Sequence, residues 1–339
     1  MTLKKNSGMA VLVTGGAGYI GSHAAKALSQ AGMIPVAFDN LSTGHKWAVQ
    51  WGPLVEGDLA DSGLLRSTIR RYGIEAAIHF AAVALVGESM EKPGLYFQTN
   101  CSGTLSLLEA MREEGVRALV VSSSCATYGI PERLPISETE PQLPINPYGE
   151  SKLMVERMLH WYEQAHDLAW VALRYFNAAG ADSDGDLGED HNPETHLIPR
   201  VILAALGLES EVSVYGTDYD TEDGTAVRDY VHVTDLAQAH VSALKYLLRG
   251  EKSGSFNLGT GHGCSVKAVI AAVEKESGRA VPCQLCPRRP GDPAVLVADP
   301  SKANRNLGWN PLHSSLENIA HTAWRWHAKQ CEKAYREAV

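Results

Sequence analysis

The stretch Met9-Ala10-Val11-Leu12-Val13-Thr14-Gly15-Gly16-Ala17-Gly18-Tyr19-Ile20-Gly21 decides how the rest of the chain is read. Met9 to Val13 is a short apolar run of buried-strand character, and Ser22 to Gln30 follows with helical composition. Strand, glycine turn and helix in that order make a phosphate cradle. Gly15 permits the tight turn, Gly18 lets the backbone approach a pyrophosphate, and Gly21 lets the helix pack closely on the sheet. Ile34-Pro35-Val36-Ala37-Phe38 reads as the next strand and ends in Asp39, where a carboxylate can accept both adenosine ribose hydroxyls. Asn40, Leu41 and Ser42 follow, so no arginine stands directly beside Asp39 to offset a 2′-phosphate. The cofactor read from these residues is NAD rather than NADP.

Working outward, strand-like runs at 9–13, 34–38, 76–81, 117–122 and 169–175 alternate with helical segments near 22–31, 61–72, 95–114 and 150–166. This alternation predicts an α/β fold: a Rossmann-type doubly wound parallel sheet whose ligands lie at the C-terminal ends of the strands. Polar residues stand there: Thr14, Asp39, Asp58, Ser122-Ser123-Ser124 and Asn177 each follow a strand. Asp58 is positioned either to accept from an adenine amino group or to stand as a solvated loop aspartate. From Ala181 to His196 the chain is rich in Asp, Gly, Glu, Asn and Pro and reads as a surface loop near a ligand. The run from Tyr230 to Arg249 returns to helix, and Ser255 to Gly259 to strand. The expected organisation is therefore an NAD-binding domain over 9–180 plus roughly 230–262, interleaved with a smaller C-terminal substrate domain over 181–229 and 263–335. Ser315 to Ala328 reads as a last helix, with Leu316, Ile319, Ala320, Ala323 and Trp324 on its packing face.

With 339 residues the chain exceeds the usual size of one core. Its net charge of -9 argues against nucleic acid or an anionic membrane as the main partner, so an anionic ligand needs a local basic pocket. The first nine residues are polar, and no later run approaches the roughly 20 apolar residues of a membrane span. A cytoplasmic protein is expected. The six cysteines have no framework spacing. Cys283-Gln284-Leu285-Cys286 lacks the second pair that a structural zinc requires, and the alternating apolar character of Val281 to Leu285 reads as a strand, so no metal is expected.

Tyr148 and Lys152 are four residues apart in Tyr148-Gly149-Glu150-Ser151-Lys152, so on a helix they share one face with Cβ atoms roughly 5–6 Å apart. A tyrosine of ordinary pKa near ~10 is a poor base at neutral pH. A neighbouring ammonium and the cationic ring of oxidised nicotinamide both favour phenolate, which makes Tyr148 a usable general base.

Taken together these stretches resemble the extended short-chain dehydrogenase/reductase family, and within it the branch of nucleotide-sugar epimerases, over essentially the whole chain. The resemblance is carried by TGGAGYIGSH from Thr14, DNLSTGH from Asp39, VEGDL from Val55, SSSCATYG from Ser122, NPYGESK from Asn146, RYFNAAGA from Arg174, EDGTAVRDYVHVTDLA from Glu222, FNLGTG from Phe256 and RRPGD from Arg288. It implies a triad of Ser124, Tyr148 and Lys152, in which Ser124 hydrogen-bonds the reacting sugar hydroxyl. It implies further cofactor contacts from Tyr19, Ile20, Asn40, Leu59, Phe80, Ala81, Asn100 and Tyr175. On the substrate side it implies Arg228 and Arg289, whose planar donor forks from two separate segments match phosphate oxygens, Asp292, which can accept uridine ribose hydroxyls, and Asn177, which can donate to the diphosphate or sugar, together with His196, Leu197, Tyr215 and Leu296.

The reaction it implies is interconversion of UDP-glucose and UDP-galactose by inversion at C4 through a 4-keto intermediate, with NAD tightly bound, by a homodimer. Alternatives are an epimerase or decarboxylase of another UDP-sugar and, in a different class, a non-catalytic NAD-binding sensor. The related 4,6-dehydratases need an Asp-Glu pair directly after the serine or threonine; here Cys125 and Ala126 occupy those positions. Two departures stand out. Ala84 occupies a point where some members carry lysine. Leu296 stands where members restricted to non-acetylated sugars often carry tyrosine, which leaves room for an N-acetyl group.

Overall fold

Strand β1 (Ala10–Thr14) is buried along its whole length, as a strand covered on both faces must be, and its five residues AVLVT are apolar until the last. The computed structural model describes residues 8–289 and 291–338. Residues 1–7 of the polar N-terminal segment, and Pro290 of the corner at Arg289-Pro290-Gly291, lie outside them. Around β1, β2 (Ile34–Asp39), β3 (Leu54–Glu56), β4 (Ile74–His79), β5 (Ala118–Ser124), β6 (Ala169–Tyr175) and β7 (Gly254–Leu258) complete a seven-stranded sheet among the described residues. The order is β7-β6-β5-β4-β1-β2-β3. β1 pairs in parallel with both β2 and β4. The chain runs outward from β1 through β2 to β3 and then returns to the other side of β1, so the turn after β1 opens at the point where strand order reverses.

The helices begin and end where the sequence can satisfy their free backbone groups. Tyr19–Gln30 forms α1. Asp61 caps α2 (Ser62–Tyr72) by accepting from Leu64 N, and Gly73 closes it in the left-handed region. Asn146 caps α4 (Pro147–His166) by accepting from Gly149 N, and Pro147 holds its first position. The helix expected over 95–114 is not uniform. Pro93–Tyr96 is α-helical, Phe97–Ser102 widens into a π turn, and only Gly103–Glu113 continues as α3.

Two further expectations need correction. Leu54–Glu56 is a strand that was not read as one, because it is short and half-exposed and lacks an apolar run. The helix read from Tyr230 starts later: Tyr230–His232 is a strand, and α5 spans Val233–Leu248.

The chain separates into two units. The first comprises residues 1–123, 146–173 and 237–255. Its core packs the sheet with α2, α3 and α4 through Leu12, Phe38, Leu65, Leu107, Met111 and Leu159. The second comprises residues 124–145, 174–236 and 256–339, and no change of composition marks the segment from Ser124 to Ile145. Its core gathers Ile198, Val201 and Ile202 of the helix Leu197–Leu206, Val269 and Val273 of the helix Val266–Ser277, and Ile319 and Ala323 of the helix Leu316–Ala338. Among the described residues no helix is long and apolar enough to cross a membrane.

Candidate active site

In the first unit the glycine turn is built by close backbone contact. Gly15 has φ +71°, and a Cβ there would lie 2.6 Å from Ala81 N. Phe80 N and Ala81 N both donate to Thr14 O, at 2.9 and 3.2 Å, which seats the end of β4 against the turn. A Cβ on Gly21 would come within 2.1 Å of Gly15 O. Gly21 is thus required by the turn itself, whereas the sequence reading assigned it to helix–sheet packing. At Gly18 the nearest atom to such a Cβ is Gly15 O at 3.4 Å, so that side of the turn has room.

No side chain caps α1, and its first turn, opening with Tyr19 and Ile20, has no acid. These are the conditions in which a helix N-terminus receives an anion. Asp39 is nearly buried, and its carboxylate accepts from Ala17 N at 3.0 Å and Leu41 N at 2.8 Å. A carboxylate has about four acceptor directions, so these bonds orient Asp39 and leave capacity for ribose hydroxyls. Asn40 Nδ2 donates to Asp58 Oδ2 at 2.7 Å, while Leu59 is buried beside it. The residues present fit a dinucleotide.

The cap at Asn146 sets Tyr148 and Lys152 in the first two turns of α4, with Lys152 Nζ 6.0 Å from the Tyr148 ring centroid. Tyr96 meets the same ring edge-on at 6.4 Å. Lys152 is buried and donates to Ser122 O on β5 at 2.8 Å, which fixes its direction. Burial lowers its pKa to about 8, with Cys101 and Glu156 acting in the opposite sense. Asn100, in the π turn, is 2 % exposed. It accepts from Val83 N at 2.9 Å and donates to Val83 O at 3.0 Å and Ser151 Oγ at 2.9 Å. Its amide ties the loop after β4 to α4. The ring of Phe80 lies 4.5 Å from that of His240.

Within the second unit, three short strands align the expected substrate residues. Val227–Arg228 pairs with Val295–Leu296 on one side and Cys264–Ser265 on the other, and the register sets Arg228 opposite Leu296. Arg228 donates to Asp292 Oδ1, so these two expected ligands hold each other. Val212–Tyr215 pairs in parallel with Cys283–Cys286, so the strand expected from Val281 to Leu285 starts two residues later and ends one later. Arg289 lies over the Tyr215 ring at 3.9 Å. Asn177 stands opposite Tyr230 in another two-stranded pair. Leu197 begins the helix that follows His196, and Tyr175 ends β6 nearly buried. Ser124, last residue of β5, is 7 % exposed, and its hydroxyl accepts from Ala126 N at 3.2 Å.

With this geometry in place, comparison with known proteins is direct. Residues 11–259 match the NAD dependent epimerase/dehydratase family. The chain belongs to that family. A UDP-glucose 4-epimerase of Halalkalibacterium halodurans is 50% identical over 319 residues, covering 94% of this chain and 96% of that protein. The crystal structure of a UDP-glucose 4-epimerase from Brucella ovis in complex with NAD is 53% identical with a TM-score of 0.92, covering 94% of this chain and 98% of that one. A UDP-glucose-4-epimerase from Stenotrophomonas maltophila, solved with bound NAD and formylated UDP-arabinopyranose, is 42% identical with a TM-score of 0.93, covering 96% and 99%.

The family's description spans epimerases and dehydratases, and Cys125 bears on the choice. Burial pushes its thiol up to about 12, so it holds its proton at neutral pH, and Ala126 has none to give. Other residues that the sequence reading passed over also build the site. His79 bridges Thr14 Oγ1 at 2.6 Å and Thr104 Oγ1 at 2.9 Å. Burial, helped by the charge of Lys152, lowers its pKa to about 3, so it is neutral. Asp229, fully buried, accepts from Thr260 N, Thr260 Oγ1, Gly261 N and Ala298 N and anchors the strand that carries Arg228. The only signal for it in the sequence was an acid inside Arg228-Asp229-Tyr230, where a surface pair reads equally well.

Proposed function

We propose that this protein interconverts UDP-glucose and UDP-galactose by inverting C4 of the hexose, with NAD as resident cofactor. The observation that carries the reading is the buried Lys152 ammonium, aimed by Ser122 O and set one helical turn from Tyr148, in the same unit as a glycine turn ready for pyrophosphate. Similarity at about half of all positions to proteins named for this reaction supports it.

When bound, NAD supplies the hydride acceptor and donor that inversion needs. The residues of the chain do the remaining work. Tyr148 removes the proton of the C4 hydroxyl as C4 becomes a ketone, and Lys152 holds the positive charge that favours the phenolate. Ser124 hydrogen-bonds the same sugar oxygen. Arg228 and Arg289 hold the diphosphate, with Asp292 on the uridine ribose, while the hexose turns about its link to the diphosphate. Tyr148 then returns the proton, and C4 is inverted.

The working form is a homodimer in the cytoplasm. In support, Leu95, Leu105, Met154 and Trp161, on the segments Pro93–Glu113 and Pro147–His166, are all more than a third exposed. Such apolar side chains on neighbouring helices suit a self-complementary interface. The test of the activity is incubation of purified, cofactor-bearing protein with UDP-galactose and no added NAD. UDP-glucose should accumulate to equilibrium. Intact protein with bound cofactor and no product would make it a sensor rather than an enzyme.

A further inference from the structure

The loop Gly188-Glu189-Asp190-His191-Asn192-Pro193-Glu194-Thr195-His196 gathers two carboxylates and two imidazoles, one ligand atom from each, all within 4.8 Å of one another. We propose that Glu189, His191, Glu194 and His196 form a binding site for one divalent transition-metal ion of the zinc class, which clips this loop of the second unit. The expectation of no metal rested on cysteine spacing, a criterion blind to a Glu-x-His-x-x-Glu-x-His arrangement.

Distances carry the argument. His196 Nδ1 lies 2.8 Å from Glu189 Oε1 and 3.3 Å from Glu194 Oε1. His191 Nδ1 lies 3.4 Å from Glu189 Oε1 and 3.6 Å from Glu194 Oε2. Three of the four separations exceed the roughly 2.7–3.2 Å of a good N–H···O bond. These three lie near the spacing of zinc ligands, which at about 2.0–2.1 Å from the ion sit about 3.3–3.4 Å apart, and either oxygen of Glu194 is within reach of the cluster. Both imidazoles turn Nδ1 to the same pair of carboxylates, sharing Oε1 of Glu189 and meeting Glu194 at Oε2 for His191 and at Oε1 for His196, so two ring nitrogens and two carboxylates face one another.

Charge agrees with geometry. The Glu189 and Glu194 side chains are 5% and 7% exposed, and two carboxylates so placed repel unless a positive charge lies between them. A divalent cation with two neutral imidazoles balances them. Ligand chemistry favours zinc, cobalt or iron over magnesium or calcium, because imidazole nitrogen makes up half the set. The site is also held in place. Glu194 Oε1 accepts from Thr195 N at 2.7 Å and His196 N at 2.8 Å, and Trp326 Nε1 donates to Glu189 O at 3.1 Å. Gly188 packs against the same indole, where a Cβ would lie 2.3 Å from the ring. His196 is half-exposed and leaves an entry path. The competing occupant of the same space is a proton on each imidazole, which would make the cluster a plain ion-pair network.

Full-length protein stripped with a chelator and titrated with Zn²⁺ against a chromophoric competitor should take up one ion per chain. Co²⁺ in its place should give the intense visible absorption of four-coordinate cobalt. In His191→Ala and Glu189→Gln the affinity should fall at least on the order of 100-fold, since loss of an outer-shell partner alone costs about 10–100-fold. Each variant is compared with wild type in chelator by circular dichroism, and His191→Asn serves if His191→Ala does not fold. No uptake by wild type, the faint spectrum of six-coordinate cobalt, or unchanged affinity in the folded variants would each overturn the site and leave the ion-pair network. None of these readouts depends on turnover, so the result is independent of the reaction proposed above.

Discussion

The glycine turn of the first unit and the Arg228 neighbourhood of the second are both expected to receive phosphates, yet they are made differently. The turn is backbone: Gly15 and Gly21 leave no room for a side chain, and the helix behind them supplies amides. The second is side chain: Arg228 and Asp292, sixty-four positions apart, are already paired, and Arg289 is stacked on Tyr215. A backbone site resists any substitution and grips a ligand that never needs to leave. A side-chain site has to exchange its internal partners for the ligand, which suits a substrate that enters and departs.

Breaking this comparison begins at the chemistry that both sites serve. Tyr148→Phe should lower kcat on the order of 10²–10⁴-fold. Bound NAD should be retained, as measured by cofactor content after gel filtration. A rate within a few-fold of wild type would remove Tyr148 from its assigned role.

Next in size, Gly21→Val should abolish cofactor retention and destabilise the first unit by several kcal/mol, roughly 4 or more, because the clash is with backbone and cannot be relieved by a rotamer. Retained NAD and an unchanged urea midpoint would contradict the contact. Arg289→Ala in the other site should leave NAD content untouched. It should raise KM for the UDP-sugar by about 10–150-fold, the worth of a charged hydrogen bond of roughly 1.5–3 kcal/mol. Arg228→Ala should cost more than that, since it strips Asp292 of its partner, and adding Asp292→Ala should recover part of the loss.

A smaller effect tests the buried histidine behind the turn. His79 is held at about 3, below its ordinary 6.5, chiefly by burial. Between those values the unfolded chain binds a proton that the folded chain does not, so stability rises with pH across the window and is lost as pH falls below 6.5. His79→Asn should be less stable at pH 7.5 but lose less on going to pH 5, measured as urea midpoints. A steeper loss in the variant would reverse the assignment. Smallest of all, Leu296→Tyr should lower kcat/KM for UDP-N-acetylgalactosamine by about 10-fold or more, with little change for UDP-galactose. Equal effects on both sugars would mean that Leu296 does not line the sugar pocket.

Much of the first unit was legible because its signals are local. The run before Thr14 is apolar through its whole length, the turn is marked by glycine, and Tyr148 and Lys152 share a helix whose cap, Asn146-Pro147, is also in the sequence. What was missed there is non-local or irregular. Leu54–Glu56 becomes a strand only by pairing with β2. The π turn at Phe97–Ser102 aligns Asn100 with a loop and a helix far from it in the chain. In the second unit the arginines were identified by their resemblance to family motifs, and nothing nearby marked Asp229 as the anchor of the strand that carries Arg228.

The sequence by itself determined the parallel α/β sheet, the dinucleotide turn and the Tyr-x-x-x-Lys pair, since each follows from periodicity, the steric needs of glycine or helical spacing within a few residues. Only the tertiary structure decided that His79 is neutral, that Lys152 sits near 8, that Arg228 holds Asp292 and that two glutamates and two histidines of one loop gather within 4.8 Å. Those properties depend on removal from water and on partners brought in from distant segments, and neither is written in any short stretch of chain.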